Sequence, residues 1–208
     1  MPTPCLHFRL LSKRLNDLEM KFVSDQIQAE VANPATFQPD LDRLAAFRLL
    51  IHAEIEDFLE AKARDNVQVV KSRITSGGAW MRAAPELLPL AIAFKRGLPQ
   101  EDTLDPQRHA NFATELMNAA SGFISDNNGV KTHAFTTLSL CAGKTLDEID
   151  VVLSAGLNSF GRDRGDVAHK SVTRCTSLQA PSAELQTARN LVDQIGRYFD
   201  VVPFLPTL

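Results

Sequence analysis

The sequence predicts an all-α fold, a helical bundle of about five to seven helices in a single domain over residues 1–208. Three observations predict it. Apolar residues recur at helical spacings of three and four in several long segments. Side-chain caps, prolines and glycines mark the ends of those segments. No segment alternates apolar and polar residues as a half-buried strand would, and 208 residues suffice to bury a core without disulfides or metals.

The composition is that of an ordinary globular protein, with 44% hydrophobic and 23% charged residues. A formal net charge of −3 excludes a generally basic nucleic-acid coat but allows a local positive patch. Three cysteines without paired metal-ligand spacing fit a reducing compartment, so we expect a cytoplasmic protein. No secretory signal is recognisable and no apolar run is long enough to cross a bilayer, so we expect no membrane partner.

Apolar spacing defines two helices in the first third of the chain. The first helix is predicted from about residue 6 to residue 31, where Asn33-Pro34 ends it. Asp40 opens the second as a side-chain cap, and a broad apolar stripe follows it to Leu59. Residues 65–106 are less regular because prolines and glycines interrupt their apolar segments. This middle region is predicted to be an insertion or a lid.

Three further helices are predicted in the second half of the chain. One spans about residues 107–124. Thr145 and Glu148 fit a capping box, which is predicted to start the next helix. The last helix lies between Pro181 and Pro203.

The stretch at residues 157–171 is the strongest candidate for function. There the apolar face of a helix runs into a dense polar cluster that contains Arg164 and His169. The spacing of these two residues alone carries little information, because Arg162 also fits an Arg-x4–6-His pattern and chance matches are expected. The surrounding sequence has to support any assignment.

Several blocks around this stretch resemble the HEPN superfamily, and more closely its RiboL-PSP-type branch. The resemblance spans most of the chain from about residue 41 and is weakest between residues 65 and 105. The blocks that carry it are Phe47-Arg48-Leu49-Leu50-Ile51-His52-Ala53-Glu54-Ile55-Glu56-Asp57-Phe58-Leu59, Asn128-Gly129-Val130-Lys131, Leu153 through Phe160, Arg164-Gly165, Ala168-His169-Lys170-Ser171 and Phe199-Asp200.

The resemblance implies a HEPN-like bundle, often dimeric, that acts as a metal-independent endoribonuclease without a cofactor. Active members belong to toxin–antitoxin and antiviral systems and cleave RNA by attack of its own 2′-hydroxyl. That chemistry needs an imidazole to move protons and a cation to hold charge on the phosphate, which suits His169 and Arg164. The expected products are a 2′,3′-cyclic phosphate and a free 5′-hydroxyl. The supporting candidates are Asp166, Lys170, Ser171, Arg162 and Glu54.

Helix geometry leaves two alternatives for the arrangement of the pair. Five positions at about 100° each put Arg164 and His169 roughly 140° apart on one straight helix. Either Gly165 breaks the helix locally, or two copies of the chain meet across a twofold axis and share one pocket. We predict a homodimer with residues 157–171 at its seam.

Gly165 also keeps a second function open. Many family members carry Asn, Asp or His directly after the arginine, so Gly165 favours a catalytically silent module that binds RNA or a protein. An antitoxin or a nucleotidyltransferase encoded beside this chain would favour a regulated toxin. A third alternative is a nucleotide-binding or nucleotidyl-accepting partner of a neighbouring enzyme. His52 and Glu56 lie at i and i+4 and could bind a metal, but two ligands are too few. We interpret them as polar residues of the bundle or its surface.

Overall fold

The computed structural model describes residues 2–75, 84–97, 105–169 and 171–203. These residues form eight α-helices, so the all-α prediction is confirmed, with more helices than the five to seven expected. None of the described helices is long and apolar enough to cross a membrane. The helices are α1 (Leu6–Phe22), α2 (Ser24–Ala32), α3 (Leu41–Thr75), α4 (Ala84–Ala93), α5 (Pro106–Asp126), α6 (Thr132–Cys141), α7 (Val151–His169) and α8 (Pro181–Tyr198).

The single first helix predicted for residues 6–31 is two helices. The fully buried Val23 has φ −128° and ψ −23°, outside helical geometry, and it separates α1 from α2. The Gln26 amide nitrogen donates to the Phe22 carbonyl at 2.8 Å, and its amide oxygen accepts from the Asp40 backbone at 2.8 Å. Gln26 therefore joins the end of α1 to the chain that enters α3.

The long helix α3 begins as its sequence predicts. The Asp40 carboxylate accepts from the Arg43 backbone N–H at 3.1 Å, which satisfies one free donor of the first turn. The helix then continues without interruption to Thr75, so residues 65–75 extend α3. In the middle region, residues 84–93 form α4, whereas residues 76–83 and 98–104 lie outside the described residues.

The start of α7 differs from the prediction. Thr145 and Glu148 do form the predicted capping box, but it closes only a short 3-10 helix over Leu146–Glu148. The α-helix begins at Val151, where Asp150 Oδ1 accepts from the backbone N–H groups of Val152 and Leu153, each at 2.9 Å. The predicted start at Thr145 is therefore wrong.

One pair of three-residue strands was not predicted. Strands β1 (Thr3–Cys5) and β2 (Val201–Pro203) are parallel, with Thr3 opposite Val201 and Cys5 opposite Pro203. Three residues are too few to show the alternation that identifies a strand in a sequence.

The chain divides into two compact units. The first comprises Met1–Phe58, Gly129–Thr132 and Asp150–Leu208, and the second Leu59–Asn128 and His133–Ile149. The prediction of one domain over residues 1–208 is not decided by this division and stays a prediction. Large buried side chains of the first unit include Leu18, Leu44, Phe47, Ile51, Ile55, Leu157 and Ile195; those of the second include Leu59, Leu90, Leu116, Met117, Phe135 and Leu138.

Candidate functional site

Helix α7 carries both predicted catalytic residues, and it is continuous. It runs from Val151 to His169, and Gly165 lies inside it without a positive φ. A Cβ at Gly165 would meet nothing within 4 Å. A local break at Gly165 is therefore not the way in which this chain arranges Arg164 and His169.

Arg164 lies on the face of α7 that packs inward. It follows Phe160 by four positions and Gly161 by three, and both of those residues are buried. Arg164 itself is half-buried, and among the described residues its Nε atom has no hydrogen-bond partner. The buried Nε–H is therefore a donor that an anion could satisfy.

His52 of α3 lies against this face of α7. Its side chain is only 2% exposed and stacks on the Phe160 ring, with 5.9 Å between centroids and 23° between planes. Glu56 Oε2 is 3.7 Å from His52 Nδ1, which is too long for a hydrogen bond. Within the described part of the chain, Nδ1 has no hydrogen-bond partner.

The pKa of His52 is lowered from 6.5 to about 4. Burial is the largest cause, because it penalises the charged ring, and the positive charges of Arg164 and Lys131 add to it. His52 is therefore a neutral imidazole at pH 7, beside two cations.

Lys131 reaches the same place from the segment that directly precedes α6. A Cβ added to Gly161 would lie 3.3 Å from Lys131 Cγ and 3.6 Å from His52 Nε2. Because Gly161 has no side chain, the Lys131 stem and the His52 ring can both lie against the α7 backbone there. We call His52, Lys131 and Arg164 the His52 cluster; all three belong to the first compact unit.

His169 is exposed and is the last residue of α7. On this continuous helix it points about 140° away from Arg164. Within one chain, therefore, the two predicted catalytic residues lie on different faces of α7, and Arg164 faces His52 instead.

Of the supporting candidates, Arg162 and Glu54 lie apart, whereas the Asp166 and Ser171 carbonyls are both 3.5 Å from Cys175 Sγ. Arg162 is exposed, with Nε 3.8 Å from Asp163 Oδ1, and Glu54 Oε1 accepts from Arg14 Nε at 2.8 Å. Glu54 is about 200° around α3 from His52, so it faces α1 rather than α7. The remaining candidates are Asp166, whose carbonyl is 3.5 Å from Cys175 Sγ; Ser171, exposed, whose carbonyl accepts from the Arg174 backbone at 2.8 Å; and Lys170, which lies outside the described residues.

A buried ion pair fixes the segment that follows α7. Arg48 of α3 and Glu184 of α8 are 4% and 2% exposed, and Arg48 Nε donates to Glu184 Oε2 at 3.1 Å. Arg48 also donates to the Ser177 hydroxyl at 3.1 Å and to the Ser177 carbonyl at 2.8 Å, while the Gln179 backbone donates to Glu184 at 2.7 Å. The chain beyond His169 is therefore tied to the core of the first unit.

Sequence reasoning missed His52 and Lys131 as members of a site. One signal was present, because His52 lies three positions before Ile55 and seven before Leu59, and so falls on the apolar stripe of α3. Nothing in the sequence linked that position to Arg164.

The described residues contain no group of three or more His, Cys, Asp or Glu side chains that could hold a metal.

Comparison with known proteins adds no assignment. No protein-family model matches the chain, and no curated protein or solved structure matches it significantly. The resemblance to the HEPN superfamily therefore stays a prediction.

Proposed function

We propose that this protein is a metal-independent endoribonuclease of the HEPN type, in which Arg164 binds the scissile phosphate and His169 moves protons. One observation carries the proposal. Arg164 is half-buried and, among the described residues, its guanidinium has no carboxylate partner and its buried Nε is unpaired. A cation held in this way offers its charge and its N–H groups to a phosphate.

The proposed reaction is an internal transesterification. The His169 imidazole takes the proton of a ribose 2′-hydroxyl, whose oxygen attacks the adjacent phosphorus. Arg164 stabilises the charge that develops on the phosphate oxygens. The bond from phosphorus to the 5′-oxygen breaks, and that oxygen takes a proton from the His169 ring of a second copy, which starts the step as the protonated imidazolium and ends it neutral. The products are a 2′,3′-cyclic phosphate and a 5′-hydroxyl.

A homodimer is part of this proposal because one chain does not bring Arg164 and His169 to one face. Two copies related by a twofold axis at α7 would bring the arginine of one chain to the histidine of the other. In the setting that the family resemblance implies, the enzyme acts in the cytoplasm as a toxin or defence effector, beside an antitoxin or a nucleotidyltransferase.

The test is RNA cleavage by the purified protein in the presence of EDTA. We expect the wild-type chain to cleave, and Arg164→Ala and His169→Ala each to lower the rate at least about 100-fold, as loss of a general acid–base or charge-stabilising group does. Lys13→Ala, which changes an exposed α1 side chain paired with Asp17, is the matched control and should cleave normally. Unchanged cleavage by both site variants would refute the assignment.

The continuity of α7 favours a second candidate, a catalytically silent module that binds RNA. Gly165 occupies a position that is often polar in the family, and the unbroken helix keeps Arg164 and His169 apart in each chain. Expression in a bacterial host distinguishes the endoribonuclease from the silent module. Growth arrest that His169→Ala relieves supports the enzyme, whereas a harmless wild-type chain that binds RNA without cutting it supports the module.

A further inference from the structure

We propose that His52, Lys131 and Arg164 form a single binding site for a phosphate group of the RNA strand, complete within one chain. This inference deepens the proposed function and rests on it for the identity of the ligand. The site adds His52 of α3 and Lys131 of the segment before α6 to Arg164. Neither residue is needed for the catalytic roles proposed for Arg164 and His169.

Packing on one face of α7 brings the three side chains together. Phe160 stacks on the His52 ring, Gly161 lies against both His52 and Lys131, and Arg164 is one helical turn further along the same face. The contacts at Gly161 involve His52 Nε2 and Lys131 Cγ, so the polar end of the histidine lies beside the lysine stem. The cluster thus depends on packed side chains of the first unit.

The charges of the cluster are unbalanced. The positive charges of Arg164 and Lys131 both lower the pKa of His52. Within the described part of the chain, neither cation has an ion pair with a carboxylate. From α3, the carboxylate that faces His52 is Glu56, whose Oε2 is 3.7 Å from Nδ1. Lys131 is exposed and Arg164 is half-buried with an unpaired Nε, so the two positive charges beside the buried neutral ring are open to an anionic ligand.

His52 contributes a donor without adding charge. A neutral imidazole carries one N–H, and the ring nitrogen on the side of Gly161 and the Lys131 stem is Nε2, whereas Nδ1 lies 3.7 Å from Glu56 Oε2. In the tautomer that carries its proton on Nε2, that N–H is the donor on the side of the cluster. A phosphate bound by Arg164 and Lys131 would offset the two positive charges that oppose protonation of His52. Ligand binding should therefore make His52 easier to protonate.

The first test measures binding to a single-stranded oligonucleotide with 2′-O-methyl riboses, which lacks the attacking hydroxyl and cannot be cleaved. Its affinity is measured by fluorescence anisotropy at several salt concentrations. We expect Lys131→Ala to reduce the slope of log affinity against log salt by about 0.7, the value for one phosphate contact on a single strand. Lys13→Ala should leave the slope unchanged, because Lys13 is exposed on α1 and pairs with Asp17.

The second test follows the protonation midpoint of the His52 ring by NMR in the wild-type protein, so it does not depend on whether a buried-histidine variant folds. We expect the midpoint to rise when the same oligonucleotide saturates the protein, and to rise less in Lys131→Ala. An unchanged salt slope in Lys131→Ala together with an unmoved His52 midpoint would overturn the inference.

The two proposals fail in different ways. If EDTA-resistant cleavage depends on His169 but Lys131→Ala binds with a wild-type salt slope and the His52 midpoint does not move, the endoribonuclease stands and the phosphate site of the His52 cluster is refuted. If no RNA is cut but the salt slope falls and the His52 midpoint rises, the phosphate site stands and the endoribonuclease is refuted.

Discussion

At the scale of single residues, His52 shows how a polar side chain can occupy a core position. The apolar stripe of α3 includes its position, and the ring is buried against Phe160. Burial is tolerated because an imidazole can stay neutral, unlike the guanidinium of Arg164. The sequence alone could place His52 on the stripe, but it could not show that α7 brings two cations beside it.

The low pKa of His52 makes stability depend on pH in a defined window. Below pH 6.5 the unfolded chain binds a proton at His52, whereas the folded chain binds that proton only near pH 4. The unfolded state is therefore favoured as pH falls through this window, and the free energy of unfolding should rise with pH by up to about 1.4 kcal/mol per unit.

Urea unfolding between pH 4 and pH 7 checks this prediction. His52→Gln cannot titrate at this position, so its stability should depend less steeply on pH than that of the wild-type protein. Parallel curves for the two proteins would show that His52 is not the cause.

The buried Arg48–Glu184 pair should be sensitive to the loss of one partner. Arg48→Met leaves the Glu184 carboxylate buried without its cation, which we expect to cost about 3–5 kcal/mol in urea unfolding. Adding Glu184→Leu removes the stranded charge and should recover most of that loss.

Lys13→Met is the control, because it breaks an exposed pair with Asp17 and should change stability little. If Arg48→Met costs no more than this control, the pair does not hold the segment after α7 in place.

At the scale of helices, the sequence predicts those that carry their own signals. Asp40 caps the start of α3, and the apolar spacing of α8 and its bounding Pro181 match the structure. The break at Val23 escapes prediction because no proline or glycine marks it; the Gln26 side chain just after it bonds to Asp40, fourteen residues away. The start of α7 escapes it because a capping box fits a 3-10 turn as well as an α-helix.

Gly165 offers a direct test of the continuity of α7. A glycine inside a helix costs roughly 0.5–1 kcal/mol relative to alanine, and a Cβ at Gly165 would meet no atom within 4 Å. Gly165→Ala should therefore stabilise the protein by about that amount in thermal unfolding.

Gly161→Ala is the matched control on the same helix, because its Cβ would press on Lys131 at 3.3 Å and approach His52 at 3.6 Å. The stability that Gly161→Ala gains in thermal unfolding should be smaller than the stability that Gly165→Ala gains. A destabilised Gly165→Ala variant would mean that residue 165 leaves helical geometry in solution.

At the scale of the whole molecule, periodicity predicts the all-α class because a helix repeats its signal over many residues. For the candidate site, the sequence places Arg164 and His169 on one helix, and α7 separates them by about 140° around its axis; their joint role in one site stays a prediction. Packing between distant segments, which brings His52 and Lys131 to Arg164, leaves no local trace in a sequence.

The predicted homodimer is tested by light scattering of the purified protein at micromolar concentration. We expect the mass of two chains, because one chain keeps Arg164 and His169 on different faces of α7 and the proposed enzyme needs both in one site. The mass of a single chain under these conditions would contradict both the dimer and the shared site. An Arg164→Ala chain mixed with a His169→Ala chain should then regain part of the cleavage that each variant alone has lost.

The short parallel pair of β1 and β2 has a consequence for folding. It joins backbone segments about 200 positions apart, so forming it closes a very long loop, whose entropy must be offset before the pairing contributes. We expect the pair to form after the helices and to open first under native conditions. The amide hydrogen of Thr3, which bonds to the Asp200 carbonyl at 2.8 Å, should then exchange with solvent much sooner than the buried amides of α3.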